Sequence, residues 1–357
     1  GWLLNIIEWH NDTGSNFDIR ADDTLDRIFS EWKVYKSYGI DGSTIAKVAS
    51  KYKEFHVFEK SRGIGGRLSH KKLPWGDIDF GAQYFTARDD RFLSQVSDWL
   101  SAGVVDIWKF DPHKVLEEKL SRSPDTQTRY VGIPNMNSII HSLAGGFEIH
   151  FEKRVESIYR HKKKWQLSIN NNSEKAEDFD WVISSLPAEQ SRNIFLDTSI
   201  IKHIPREIHL PCWAAALATK GRVDFDIQGV FGDDQIAWVS RQSSKPSWKK
   251  QAGYDDIWMV HFSSKWSELN ESAPNEIIVS EAMSWLMKIF KNHIEKDLIL
   301  VNSKLHFWRY AQIYDAEQKY QSIVDKDEGV AQIGAWLSGG RVEGAYLSAL
   351  DLSDYYF

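Results

Sequence analysis

The sequence predicts an α/β fold in two lobes, a split nucleotide-binding unit wrapped around an inserted, mainly antiparallel β-sheet plus helix. Three observations carry this. Strand–turn–helix patterns stand near both ends of the chain, the stretch between them is dominated by aromatic, alternating strands, and no internal repeat is present. The length of 357 residues suits two domains or one large two-lobed unit. Hydrophobic residues make up 42% and charged residues 26%, a globular mixture.

Residues 1–31 show no sustained period beyond a short candidate helix over 22–32, and they are left unassigned. Residues 33–59 read as strand, turn, helix, strand. In the helix, Ile45, Val48, Ala49 and Tyr52 form one apolar stripe. The segment Phe55–Glu59 is aromatic and β-branched, hence a strand, and a glycine-rich loop follows it. Asp89 or Asp90 is expected to cap a helix running to about Leu100. Val104–Phe110 reads as a strand, and Asn135 is expected to cap a helix ending at Gly145 and Gly146. Alternation over Glu148–Asn170 predicts two or three antiparallel strands, with a solvated basic turn inside Lys153–Lys164. Further strands are expected at Trp181–Ser185, Trp213–Thr219, Ile236–Arg241, Ile257–Phe262 and Leu305–Tyr310, with one long helix over Asn275–Phe290. Strand, glycine turn and helix close the chain at Val330–Ile333, Gly339–Gly340 and from Val342 onward.

Bulk properties exclude several classes. With 44 basic against 50 acidic residues the net charge is −6, so nucleic acid is not an expected partner. No apolar run approaches the ~20 residues needed to span a bilayer, and no signal-peptide pattern opens the chain. The single cysteine, Cys212, permits no intrachain disulfide and reads as a small buried hydrophobe. A cytoplasmic location is the expectation. The chain begins at Gly1 rather than Met, as a trimmed, tagged or fragmentary start would. The twelve histidines show no HExxH pattern, so no metal site is expected, and no GxSxG elbow appears.

The chemistry gathers in two strings. Ser37-Tyr38-Gly39-Ile40-Asp41-Gly42 occupies the place of a GxGxxG turn. There, Gly39 permits close backbone approach to a pyrophosphate and Gly42 permits close helix–strand packing, while Ser37 replaces the first glycine. Glu59 stands 17 residues after Gly42, at the end of the next strand, where a carboxylate can accept hydrogen bonds from a ribose. After it run Lys60, Ser61, Arg62, Gly63, Ile64, Gly65, Gly66 and Arg67, glycines for close approach and arginines as forked donors.

The string VFEKSRGIGGRLS resembles the second FAD motif of renalase-like flavoproteins, a branch of the flavin amine oxidase superfamily. FGAQYFTARDDRF, YVGIPNMNSI, PCWAA, IAWVSRQSSKP, HFWRYA and GGRVEGAYLSA are similar to that family in the same order, over about residues 33–350. The resemblance implies a discontinuous FAD/NAD(P)-binding Rossmann-like domain over 32–85, 147–210 and 325–357, and a substrate domain over 86–146 and 211–324. It implies FAD as cofactor, with Gly39 and Gly42 at the pyrophosphate, Glu59 at the adenosine ribose, and Lys60, Arg62, Gly65, Gly66 and Arg67 beside it. Val155 would meet the adenine, and Gly81 to Tyr84, with Gln83, would approach the isoalloxazine. Gly334, Arg341, Val342, Glu343 and Ala345 would bring a helix N-terminus to the flavin, where its dipole favours negative charge.

Tyr84, Trp238, His261, Trp308 and Arg309 are the candidate substrate pocket. The implied reaction is hydride transfer to flavin from a small molecule, a dihydronicotinamide nucleotide or an amine, and no residue is named as catalytic. Two departures stand out. Lys33 and Lys36 interrupt the first strand, which should be apolar. Ala335 follows Gly334 where the family has Asp. Ser37, in place of the first glycine, and Ala335 motivate an alternative reading, a non-catalytic flavoprotein homologue with weakened or lost FAD binding.

Overall fold

The computed structural model describes residues 40–49, 55–144, 148–170, 178–249, 251–314 and 321–356. The candidate helix at 22–32, the first strand with Ser37, Gly39, Tyr52, and the Gly145–Gly146 pair lie outside the described residues. The first half of the chain forms α1 (Ile40–Ala49), β1 (His56–Glu59), β2 (His70–Leu73), β3 (Gly76–Asp79), α2 (Asp90–Ser101), β4 (Val105–Trp108), β5 (His113–Leu116), β6 (Lys119–Arg122), β7 (Arg129–Gly132) and α3 (Ser138–Leu143). Then come β8 (Glu148–Phe151), β9 (Val155–His161), β10 (Lys164–Ile169), β11 (Val182–Ser184), α4 (Ala188–Ile194), β12 (His209–Lys220), β13 (Gly229–Phe231), β14 (Ile236–Arg241) and β15 (Asp256–Phe262). The chain closes with α5 (Ser264–Leu269), α6 (Asn275–Phe290), β16 (Ile299–Ile313), β17 (Ile323–Asp325), β18 (Val330–Gln332) and α7 (Val342–Tyr356).

Two parallel pairs mark the nucleotide-binding lobe, β1 with β8 and β11 with β18. The inserted lobe is a seven-stranded sheet in the order β16-β12-β15-β14-β13-β5-β6, antiparallel at every neighbour except β13 with β5. Period-2 alternation along β12 explains how this sheet is covered. Ala215 and Leu217 face α6, where Ile278, Ala282, Leu286 and Phe290 form the stripe. Ala214, Ala216 and Ala218 face the other way, onto Ile78 and Phe80. Small side chains let the β2–β3 hairpin approach the sheet closely, and that brings the preceding glycine-rich loop against the inserted lobe.

Several expectations are corrected. β8 runs parallel to β1, with His56 opposite Glu148 and Glu59 opposite Phe151, rather than joining an antiparallel meander. Alternation records which face is wet, not the direction of the partner. The helix expected from Asn135 begins at Ser138 after an N-cap at Asn137 that makes no side-chain cap bond. The Met136 N–H is instead drawn to Asp79 Oδ1 at 3.0 Å, which holds the preceding residues in a turn. The strand at Leu305–Tyr310 extends to Ile299–Ile313. Within 86–146, Phe92, Val96, Trp99 and Ile139 share one cluster with Ile45 and Val57, and β5 and β6 join the large sheet. Asp89 does cap α2, accepting the Arg91 N–H at 2.9 Å. Arg160, His161, Lys162 and Lys163 are exposed in the β9–β10 turn.

A buried polar node joins the lobes. Lys245 Nζ lies 2.9 Å from Asp79 Oδ2, and the two side chains are 8% and 6% exposed. Gln83 Nε2 donates to Asp79 O (2.7 Å) and Gly81 O (2.9 Å), and its Oε1 accepts from Ser240 Oγ (2.9 Å), Lys245 Nζ (3.2 Å) and Gln242 Nε2. Burial pushes the Lys245 ammonium below its ordinary value, and the Asp79 charge opposes that shift. Removing one partner of such a pair strands the other charge, so Lys245→Met should cost about 3–5 kcal/mol in urea unfolding. An unchanged unfolding free energy would contradict the node's role.

A second tie links α4 to β12. Glu189 Oε1 accepts from the Ile208 and His209 N–H groups at 2.8 and 2.9 Å, and Oε2 lies 2.7 Å from His209 Nδ1. Burial works against ionisation here, but these bonds outweigh it and hold the carboxyl at about 2, down from its ordinary 4.5. The stabilisation is present above the ordinary value and is lost as pH falls through the depressed one. Thermal stability should therefore fall between about pH 5 and pH 2, and Glu189→Gln should flatten that part of the profile. Identical profiles for the two proteins would exclude the linkage.

Candidate functional site

A cavity of about 500 Å³ runs between the lobes. At one end it meets the first turn of α1 at Ile40 and Asp41, together with Gly65 and Arg67. Its middle passes Gly81 and Ala82, and the start of α7 closes one side with Arg341, Val342 and Ala345. The far end reaches Tyr84, Phe231, His261 and Trp308. Three segments far apart in sequence thus share one space.

Backbone geometry makes the middle of this cavity. Gly65 has φ 137°, a conformation that side-chain-bearing residues rarely adopt. The Arg67 carbonyl accepts the Ala82 N–H at 2.9 Å, and a Cβ on Gly81 would lie 1.8 Å from that carbonyl oxygen. Only glycine permits the approach. Burial lowers the Arg67 guanidinium below its ordinary value, and Asp41 opposes that.

Glu59 ends β1 and is 4% exposed. Its Oε1 accepts the Ser61 N–H at 2.7 Å, and the Ser61 hydroxyl lies 2.7 Å from both Glu59 Oε1 and Gly63 O. The Glu59 carbonyl accepts the Lys153 N–H at 3.0 Å, which sets the start of β9, and so Val155, beside it. The Val155 side chain is core, packed with Phe58. Gly42 is buried, and its N–H donates to Asp41 Oδ1 at 2.8 Å. Lys60, Arg62 and Gly66 are exposed around the loop.

Phe80 O organises the far end. It lies 3.2 Å from His261 Nε2 and accepts Trp308 Nε1 at 3.0 Å. A carbonyl only accepts, so His261 carries its proton on Nε2 and keeps Nδ1 as an acceptor. Burial pushes this imidazole down to about 4, despite the Phe80 bond, so it is neutral at pH 7.

Other expected residues sit elsewhere. The Gln83 side chain is spent on the polar node and has no donor left for a ligand. Glu343 Oε1 accepts the Arg88 and Asp89 N–H groups at 2.6 and 2.8 Å, tying α7 to the start of α2. Trp238 does not border the cavity; it packs 5.4 Å from Tyr84 and 5.7 Å from Phe110, with its indole N–H buried and unpartnered. Arg309 is exposed and pairs with Glu271. Gly334 donates its N–H to Ser348 Oγ at 2.9 Å, and a Cβ there would lie 3.6 Å from Asp41 Oδ2. Cys212 is buried as expected, its thiol pushed up to about 12 by burial, but it also borders the cavity.

Sequence reading missed Asp41, Arg88, Asp125, Gln127, Phe231 and Gln312 among the lining residues. Of these Asp41 and Arg88 stood inside the quoted strings, and Gln312 shares a strand face of β16 with Trp308. It also missed the trio His56, Glu148 and His150, whose donor atoms fall within 4.8 Å of one another. His56 Nδ1 and His150 Nε2 are 3.1 Å apart in rings tilted by 2°, with centroids 5.4 Å apart. Two imidazoles at that nitrogen distance can hardly stand farther apart, so the nitrogens face each other along one line. That is the geometry of a shared proton rather than of lone pairs converging on an ion.

The cavity suits a long, planar, anionic dinucleotide. Glycine backbone lines its middle, guanidinium groups stand at Arg67 and Arg341, and aromatic rings bound the far end. Comparisons with known proteins agree. Residues 39–99 match the NAD(P)-binding Rossmann-like domain. Over 91% of this chain and 98% of the other, the fold matches a protein assigned as a protoporphyrinogen oxidase from Exiguobacterium sp. 255-15, at TM-score 0.72 and 10% identity. An oxidoreductase from Methanosarcina mazei matches over 90% and 99% at TM-score 0.66 and 13% identity. A putrescine oxidase double mutant matches over 91% and 99% at TM-score 0.66 and 9% identity. Among the described residues no helix is long and apolar enough to cross a membrane. Residues 106–354 match the model of the flavin containing amine oxidoreductases, so the chain belongs to that FAD-using family.

Proposed function

We propose that the chain is a renalase-like, FAD-dependent oxidoreductase that oxidises a small molecule, a dihydronicotinamide-type or amine donor, in the cavity between its lobes. The observation that carries this reading is the continuity of that cavity, from the Gly65–Arg67 loop past Gly81 to His261 and Trp308. When bound, FAD supplies the two-electron acceptor. Gly39, Gly42, Glu59, Gly65, Arg67 and Val155 would hold its adenosine and pyrophosphate portion, and Gly81, Gly334, Arg341, Val342 and Ala345 the remainder.

The chain's own residues bind, orient and exclude water. Phe85, Phe231 and Trp308 present apolar surface to the cavity. Neutral His261 offers an acceptor without adding charge. Hydride removal requires no protein acid or base, which fits a far end without an unpaired carboxylate among the described lining residues. Ala335 lacks the carboxylate expected at that point, but Asp41, which lines the same cavity, stands next to Gly334. In this reading the cofactor-binding half is assembled from the segments 32–85, 147–210 and 325–357, with the core of 92–143 packed onto it, and β12–β16 carry the substrate side.

The purified protein should show flavin absorption that bleaches when a dihydronicotinamide nucleotide is added without oxygen. Bands that persist with that donor but bleach with amines would select the amine branch of the reading. A colourless protein that takes up no FAD would sink it altogether. Gly81→Ala should force the Arg67 segment to move, cost about 1–3 kcal/mol, and lower the flavin-to-protein ratio on purification. An unchanged ratio would mean the close approach does not shape the cofactor site.

A further inference from the structure

Behind one wall of the cavity a buried charge meets aromatic rings, of which Tyr84 and Phe231 line the cavity while Phe110 and the charge itself lie beneath it. Arg129 opens β7 and is 2% exposed. Its guanidinium carbon lies 4.2 Å from the Phe110 ring centroid, 5.0 Å from Tyr84 and 5.8 Å from Phe231. Aromatic faces attract cations through their quadrupole, so such a cluster is where an alkylammonium substrate would seat itself. Here a cation of the chain is already seated there.

The same arginine takes up the wall's carboxylate. Arg129 Nη2 donates to Asp125 Oδ2 at 2.8 Å and Nη1 to Gln127 O at 3.1 Å. The other Asp125 oxygen accepts the Gln127 N–H at 2.9 Å. Burial resists ionisation of Asp125, but the Gln127 bond and the Arg129 charge outweigh it and hold the carboxyl below its ordinary value. Asp41, the other acid lining the cavity, stands at the opposite end beside Arg67 and Gly334. Arg88 is exposed on the Asp125 wall, with its Nε 3.1 Å from Gln127 Oε1, a neutral acceptor. The cavity thus meets the Arg88 guanidinium directly, and a carboxylate already paired from behind by the buried Arg129.

We infer that this wall rejects alkylammonium donors and selects a substrate carrying a carboxylate or phosphate, with Arg88 as its contact and Arg129 as the buried charge that spends Asp125. The inference rests on the reading of the cavity as the substrate site and deepens it by fixing the charge of the substrate. A cationic amine entering here meets an exposed guanidinium and a carboxylate already paired with Arg129. An anion meets a guanidinium whose present partner is a neutral amide.

Calorimetric titration of the purified protein with benzoate, phenyl phosphate and benzylammonium at low ionic strength tests this, since the three share a ring and differ in charge. At least one anion should bind about tenfold more tightly than benzylammonium, and comparing the two anions distinguishes carboxylate from phosphate. Arg88→Gln, at an exposed position, should weaken the preferred anion about tenfold. Asp125→Asn should strengthen it, and Arg129→Gln, if it folds, should shift preference toward benzylammonium. Benzylammonium binding the unaltered protein as tightly as either anion would overturn the inference, as would anion binding indifferent to Arg88→Gln. The flavin spectrum recorded before titration reports separately on the wider reading: missing flavin counts against that, while the order of affinities judges the charge of the wall.

Discussion

Residues 79–83 bear the weight of the whole arrangement. Asp79 and Gln83 sit 5% and 4% exposed between two lobes with separate cores, and their polar atoms are engaged from both sides. A polar group buried at such a junction must be fully satisfied or it costs more than an apolar contact would. Satisfying it fixes the segment tightly: Phe80 O receives His261 and Trp308 from the large sheet, while Ala82 hydrogen-bonds back to Arg67 in the cofactor loop. One short stretch thus sets the distance between the glycine loop and the strands of the large sheet across the cavity.

From that constraint the charge pattern follows. The loop end of the cavity carries Arg67 and Asp41 in mutual influence, and the α7 side carries Arg341. The far end keeps its imidazole neutral by burial and its one carboxylate paired with a buried guanidinium. A site of this kind orients and desolvates its ligand instead of supplying protons, which suits a family whose chemistry resides in the flavin. It also explains how a member of a family described by amines can have a cavity better matched to an anion.

Much of this was legible in the sequence, for identifiable reasons. α6 was readable to its last residue because sixteen residues repeat one apolar stripe. α2 was readable from Asp89, whose side chain does cap it. The strand ending at Glu59, with the glycine loop after it, was readable from its aromatic and β-branched residues. What stayed hidden depended on partners distant in sequence. Nothing local reveals that β8 pairs parallel to β1, or that Arg129 is buried among rings from three other segments. Gln83 and Glu343 were expected at the cofactor from the family resemblance of their strings, yet tertiary hydrogen bonds claim both side chains. Trp308 and Arg309 could not both face one pocket, since successive residues on a strand point to opposite faces. Trp308 faces the cavity and Arg309 faces solvent.

The central claim is that three remote segments form one cofactor site. Amide hydrogen exchange on the protein with FAD bound and with FAD removed measures this segment by segment. Added protection concentrated at Glu59–Leu68, Gly81–Phe85 and Arg341–Ala345 is the predicted result. Protection absent from those segments, or confined to the far side of the seven-stranded sheet around α6, would contradict the account.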